Sequence, residues 1–146
     1  MLSIMFTKEI NAPKDTVWNV ITNTVAYPEW NPFVPSCKSS FVVGSSIVMK
    51  VRLLPSLTIT QKETIQQNRP GEFLAYGINI PLSILSSTRQ QILTAIDEKT
   101  TRYESVFILK GALSPVVAAL LEKSLTKGFS DMTDGLVARA EQLAKQ

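Results

Sequence analysis

The chain has no histidine and one cysteine, Cys37, among its 146 residues. Without histidine there is no Ser–His–Asp triad, no Cys–His dyad, no His-ligated zinc and no HExxH metalloprotease. A lone cysteine excludes an intrachain disulfide and a CxxC redox pair, so nothing points to an oxidising compartment. The six glycines stand apart from one another, and none forms a phosphate-cradling loop. Paired carboxylates and metal-ligand clusters are missing as well, so no metal and no cofactor is expected. Long apolar runs are also absent. The most apolar helical stretch, Val116 to Leu121, falls far short of the ~20 residues a bilayer-spanning helix needs. The start, Met1-Leu2-Ser3-Ile4-Met5-Phe6, has no basic leader and meets Lys8-Glu9 too soon for a signal peptide. The cytoplasm is the expected location.

What is present is a globular composition, 45% hydrophobic and 18% charged, with a net charge of +3. A chain of this length buries roughly 68–70% of its unfolded surface, which suits one domain over residues 1–146. The basic residues are scattered singly from Lys8 to Lys145, and the nearest approach to a cluster is Lys50 with Arg52. Nucleic-acid binding needs clustered positive charge, so a solvated, mildly basic surface is expected and no nucleic-acid partner.

Ser3–Ile10 alternates and reads as a strand that Asn11-Ala12-Pro13 breaks. Pro13 and Asp15 suit the first turn of a short helix whose apolar stripe is Val17, Trp18, Val20 and Ile21. A second short helical turn is predicted over Ala26–Trp30. Hairpin strands follow. The first runs through about Cys37–Val42, and Ile47, Met49, Val51 and Leu53 alternate on the next. Leu57 to Arg69, Leu74 to Ile78, Ser87–Asp97 and Thr101–Lys110 continue the period-2 pattern. Ser114 as N-cap and Pro115 just inside it open the longest helix. Its stripe recurs at threes and fours: Val117, Leu121, Leu125, Phe129, Met132, Leu136, Ala140 and Leu143. Gly128 and Gly135 inside it predict close packing or a bend. The predicted class is α+β: a curved antiparallel sheet of six to seven strands around a long C-terminal helix, with two short helices after the first strand.

The run Ile10-Asn11-Ala12-Pro13-Lys14-Asp15-Thr16-Val17-Trp18, followed by Tyr27-Pro28-Glu29-Trp30-Asn31-Pro32-Phe33, resembles the N-terminal signature of the START-related SRPBCC superfamily. More narrowly, it is similar to the polyketide cyclase/dehydrase-like branch. Arg69-Pro70-Gly71-Glu72-Phe73-Leu74 and the final helix with Gly128 and Glu141 extend the resemblance over the whole chain. The resemblance implies a helix-grip fold with an apolar cavity between sheet and helix. Its members carry lipids, sterols, polyketides, phenolics or hormones, cyclise polyketides, or act as accessory proteins.

Within that frame Met49, Val51, Ile59, Tyr76 and Phe107 face inward from the sheet, and Phe129 and Met132 oppose them from the helix. Trp30 and Phe33 rim the entrance, or else close the core under the short helices. Polar residues at inward parity are the informative ones: Gln61, Glu63, Arg89, Gln91, Tyr103 and Ser105. Each must be paired, wet or in contact with ligand, because an unpartnered buried polar group costs several kcal/mol. Arg89 suits a ligand carboxylate, a pairing with Glu63, or solvent at a strand end. Without histidine, Glu63 and Tyr103 are the only inward candidates for proton transfer. Three readings stand: binding of a small hydrophobic molecule, a cyclase, aromatase or dehydratase type of enzyme, and a protein-interaction module. The partner expected is a small hydrophobic ligand, and a homodimer is compatible with the sequence without being indicated by it.

Overall fold

In the computed structural model, which describes residues 1–146, strand β1 (Leu2–Ile10) leads into helix α1 (Lys14–Thr22). A 3-10 turn (Thr24–Ala26) and the single helical turn α2 (Tyr27–Trp30) come next. Six strands follow: β2 (Ser36–Ser39), β3 (Ser46–Leu54), β4 (Leu57–Arg69), β5 (Phe73–Ile80), β6 (Leu85–Asp97) and β7 (Thr100–Lys110). Helix α3 (Ser114–Ala144) completes the order. The strands form one antiparallel sheet, β1-β7-β6-β5-β4-β3-β2, curled into a half-barrel around α3.

Alternation decides which side chains face the helix. On β6, Ser87, Arg89, Gln91 and Leu93 are buried, and on β7 Thr101, Tyr103, Ser105 and Leu109 are. Register irregularities between Arg52 and Leu54, Ile65 and Gln67, and Ala95 and Asp97 bend the strands and increase their twist. That curvature lets one sheet wrap one helix.

Two local expectations are corrected. The strand through Cys37–Val42 ends at Ser39, because Phe41 turns left-handed at φ 60°. Its carbonyl accepts a hydrogen bond from the Asn68 amide 2.9 Å away, and its amide donates to the Ser39 hydroxyl, so side chains replace the ladder there. Ser114 does not cap α3; it is the first helical residue and is buried, while Leu113 holds the N-cap position without a side-chain bond. Trp18 packs against the core as expected but is half-buried, whereas Val17, Val20 and Ile21 on α1 are buried.

The two halves of α3 differ. The C-terminal half packs solidly, with Met132, Leu136 and Ala140 buried. Glu141 accepts a hydrogen bond from the Asn11 amide at 2.8 Å, tying this end to the turn after β1. A Cβ placed on Gly135 would lie 2.2 Å from the Trp30 carbonyl oxygen, so only glycine lets α2 approach this closely. In the N-terminal half Val117, Leu121 and Leu125 are only half-buried, and Leu120 is 76% exposed. The apolar stripe predicted to be continuous is therefore filled at one end and open at the other.

Candidate functional site

Under the N-terminal half of α3 the sheet and helix do not meet, and a cavity of about 190 Å³ remains, with 16 hydrophobic residues among the 20 that line it. Leu121, Leu125 and Val117 form its roof, and β3 to β7 form its floor. Of the residues expected on its wall, Phe33, Met49, Val51, Ile59, Tyr76, Arg89, Phe107, Phe129 and Met132 are there, as are Gln61 and Glu63.

Four expected wall residues lie elsewhere. Trp30 packs edge-on against Tyr27 at 5.1 Å and against Gly135, further along α3 toward its C-terminal end, where it closes core. Gln91, Tyr103 and Ser105 have the inward parity but sit under the filled half of the helix, at most 1% exposed. Alternation identifies the face of a strand, while position along the strand decides between solid core and cavity. Ser87 and Leu85 also line the cavity; their signal in the sequence was their place two and four residues before Arg89 on the same face.

Arg89 is the centre of the polar end. Cross-strand register places it between Tyr76 on β5 and Phe107 on β7. Its guanidinium stacks on the Phe129 ring from α3, 4.6 Å from the centroid. Nη1 donates to the Ser105 hydroxyl, and Nη2 donates to the Tyr103 hydroxyl at 3.4 Å. Tyr103 in turn donates to Gln91 Oε1 at 2.8 Å, and the Gln91 amide donates to the Tyr76 hydroxyl at 3.4 Å. The residues behind the wall thus hold the cation that stands on it. Burial works against the charge of Arg89, yet Tyr103 and Tyr76 favour it and leave its pKa above the ordinary value. The guanidinium stays charged.

No carboxylate balances that charge at contact distance. The ion pairs of the chain are Lys14–Glu72, Lys127–Asp131 and Arg139–Glu29, all away from the cavity. Glu63 is on the same wall without touching Arg89. Burial pushes the Glu63 carboxyl up, while the Gln61 amide and the Arg89 cation pull it back. Burial also pushes the Tyr76 hydroxyl up, so it is protonated at neutral pH. No three Cys, Asp or Glu side chains converge to hold a metal ion. No helix is long and apolar enough to cross a membrane.

The family described as "Polyketide cyclase / dehydrase and lipid transport" has a model that matches residues 1–141. Among solved structures, a START superfamily protein from Mycobacterium smegmatis superposes with a TM-score of 0.76 at 16% identity, over 97% of this chain and 98% of that one. The Zhui aromatase/cyclase from Streptomyces sp. R1128 gives 0.71 at 13% identity, over 99% and 93%. Norcoclaurine synthase from Thalictrum flavum, in complex with dopamine and hydroxybenzaldehyde, gives 0.71 at 13% identity, over 99% and 87%. No curated protein matches by sequence. At these identities the structural likeness is a likeness of fold.

Proposed function

The chain belongs to the polyketide cyclase/dehydrase and lipid transport family, and we propose that it binds a small hydrophobic molecule in the cavity under the N-terminal half of α3. One observation carries this reading. The helix that fills the sheet at its C-terminal end leaves about 190 Å³ unfilled at the other, lined almost wholly by apolar side chains. An occupant gains by burying its own apolar surface there at ~25 cal/mol per Å². An apolar cavity of ~150 Å³ takes benzene, so one ring or a medium-length alkyl chain suits this one.

An enzymatic reading of the cyclase or dehydratase type rests on Glu63. It is the one wall carboxyl, and its pKa is displaced toward neutrality, the direction a general acid or base requires. Tyr103 fits that role poorly, because its hydroxyl is committed to Arg89 and Gln91 behind the wall.

The test is ligand-observed NMR and native mass spectrometry with small neutral apolar probes such as 2-naphthol, on the wild type and on Leu125→Trp. Leu125 is on the roof, and an indole there fills the void. Saturable binding by the wild type, lost in the folded filled variant, supports the cavity. Equal binding by both, or no binding by the wild type, overturns it.

A further inference from the structure

We infer that the ligand is an amphipathic acid, a medium-chain or single-ring carboxylate, whose head group is held by Arg89 and Tyr76 and whose apolar part fills the cavity. This rests on the proposal that the cavity binds a hydrophobic molecule, and it assigns the chemistry of the polar end.

The first argument is charge. Arg89 is 3% exposed, is always ionised, and has no carboxylate within ion-pairing distance. A buried cation carries a desolvation penalty that an opposite charge in good geometry offsets. Glu63 is a poor counter-ion, since it does not reach the guanidinium. The anion that completes the site comes from outside the chain.

The second argument is the geometry of the donors. Ser105 and Tyr103 lie two residues apart on one face of β7 and take one bond from each terminal nitrogen, so the end of the guanidinium is turned to them. That leaves the lateral edge, where Nε–H runs parallel to one Nη2–H. Besides Tyr103, the side-chain partner of Nη2 is the Met132 sulfur at 3.8 Å, a weak acceptor on the cavity wall. Nε itself is buried with no partner at all. Two parallel N–H groups, one unpartnered and the other on a nitrogen with only a sulfur beside Tyr103, make a fork matched to a carboxylate.

The third argument is Tyr76. It stands directly across the ladder from Arg89 and lines the same cavity. Its oxygen accepts from Gln91, but its own O–H finds no acceptor in the protein. A carboxylate seated on the Arg89 fork takes that proton as a third hydrogen bond. A neutral alcohol or ketone engages fewer of these donors and leaves the charge unbalanced. An amine meets a like charge.

Isothermal titration at pH 7.5 with octanoate, 1-octanol and octylammonium, each below its aggregation limit, tests this. Octanoate binding at least about tenfold tighter than 1-octanol, with octylammonium weakest, is the expected order, since charge-assisted bonds are roughly twice as strong as neutral ones. In Arg89→Gln the octanoate-to-octanol ratio falls toward one. Arg89→Lys keeps the charge but loses the fork and gives an intermediate ratio. The wild-type comparison stands even if Arg89→Gln fails to fold. Equal affinity for octanoate and 1-octanol overturns the acid and leaves the hydrophobic cavity intact. Failure of both to bind overturns the cavity reading and the acid with it.

Discussion

Gly128 faces the ring of Phe33 so closely that a Cβ on it would lie 2.2 Å from the ring's Cε1. That contact sets the cavity wall, because Phe33 packs edge-on against Phe129 at 5.1 Å, and Phe129 carries the guanidinium of Arg89. Alanine at 128 improves the helix by up to ~1 kcal/mol and forces the ring aside at ~1–3 kcal/mol. Gly128→Ala therefore loses up to about 2 kcal/mol in urea denaturation, and its affinity for apolar probes falls. Gly135→Ala fares worse, since its Cβ would meet the Trp30 carbonyl, a backbone atom, 2.2 Å away. An order of stability with Gly135→Ala above Gly128→Ala would contradict this.

Glu63 makes the cavity sensitive to pH. Its folded-state pKa is raised, chiefly by burial, so the folded state favours the protonated carboxyl. This contribution is fully present below the ordinary value of 4.5 and is lost as pH rises through the higher folded value. Glu63→Gln mimics the neutral form. Its melting temperature should exceed that of the wild type by a few degrees at pH 7.5, and the two should converge near pH 4. The groups facing Glu63 are Arg89 and Tyr76 on the same wall and Gln61 on its own strand, with apolar side chains from α3 above. A difference that is constant with pH would mean the carboxyl is ordinary.

The same carboxyl links ligand binding to protons. A bound carboxylate adds a negative charge to a wall that already carries Glu63 and raises that group's pKa further. Octanoate binding should therefore take up protons over the pH range in which Glu63 titrates, above its ordinary value. Titrations in buffers of different ionisation enthalpy measure this, and it should vanish in Glu63→Gln.

The sheet and the long helix were legible because their signals are local. Ile47, Met49 and Val51 alternate, and Phe129, Met132, Leu136 and Ala140 recur at helical spacing. The end of β2 was not legible, because Phe41 turns left-handed onto a side chain 27 residues away in sequence, Asn68. The placement of Trp30 was equally hidden. It depends on how closely α2 approaches Gly135, which is a packing distance and not a pattern. Inward parity picked out Arg89, Gln91, Tyr103 and Ser105 correctly as one layer. It did not reveal that Tyr103 and Ser105 hold Arg89 while Gln91 holds Tyr103, because α3 lies closer to the sheet at one end than at the other.

Tyr103 is the keystone of that hidden layer and gives a stability prediction. Its hydroxyl accepts from Arg89 and donates to Gln91 Oε1, in a site with no exposed surface. Tyr103→Phe keeps the ring and leaves Gln91 Oε1 buried without its donor, which costs ~1–3 kcal/mol. Urea denaturation should show a lower midpoint with an unchanged slope. A neutral result would mean that Gln91 finds another donor.

Cys37 is the one thiol in the chain, and its environment argues against reactivity. It pairs with Met49 across the β2–β3 ladder and is 6% exposed. Burial pushes its pKa up to about 12. At pH 8 only about one part in ten thousand is then thiolate, the reactive form. An aromatic disulfide reagent should label the native protein no faster than the chain opens, and the rate should rise with urea as the opened fraction grows. Fast labelling in buffer alone would instead place Cys37 on a mobile edge of the sheet, and β2, its shortest strand, would then be the segment that opens.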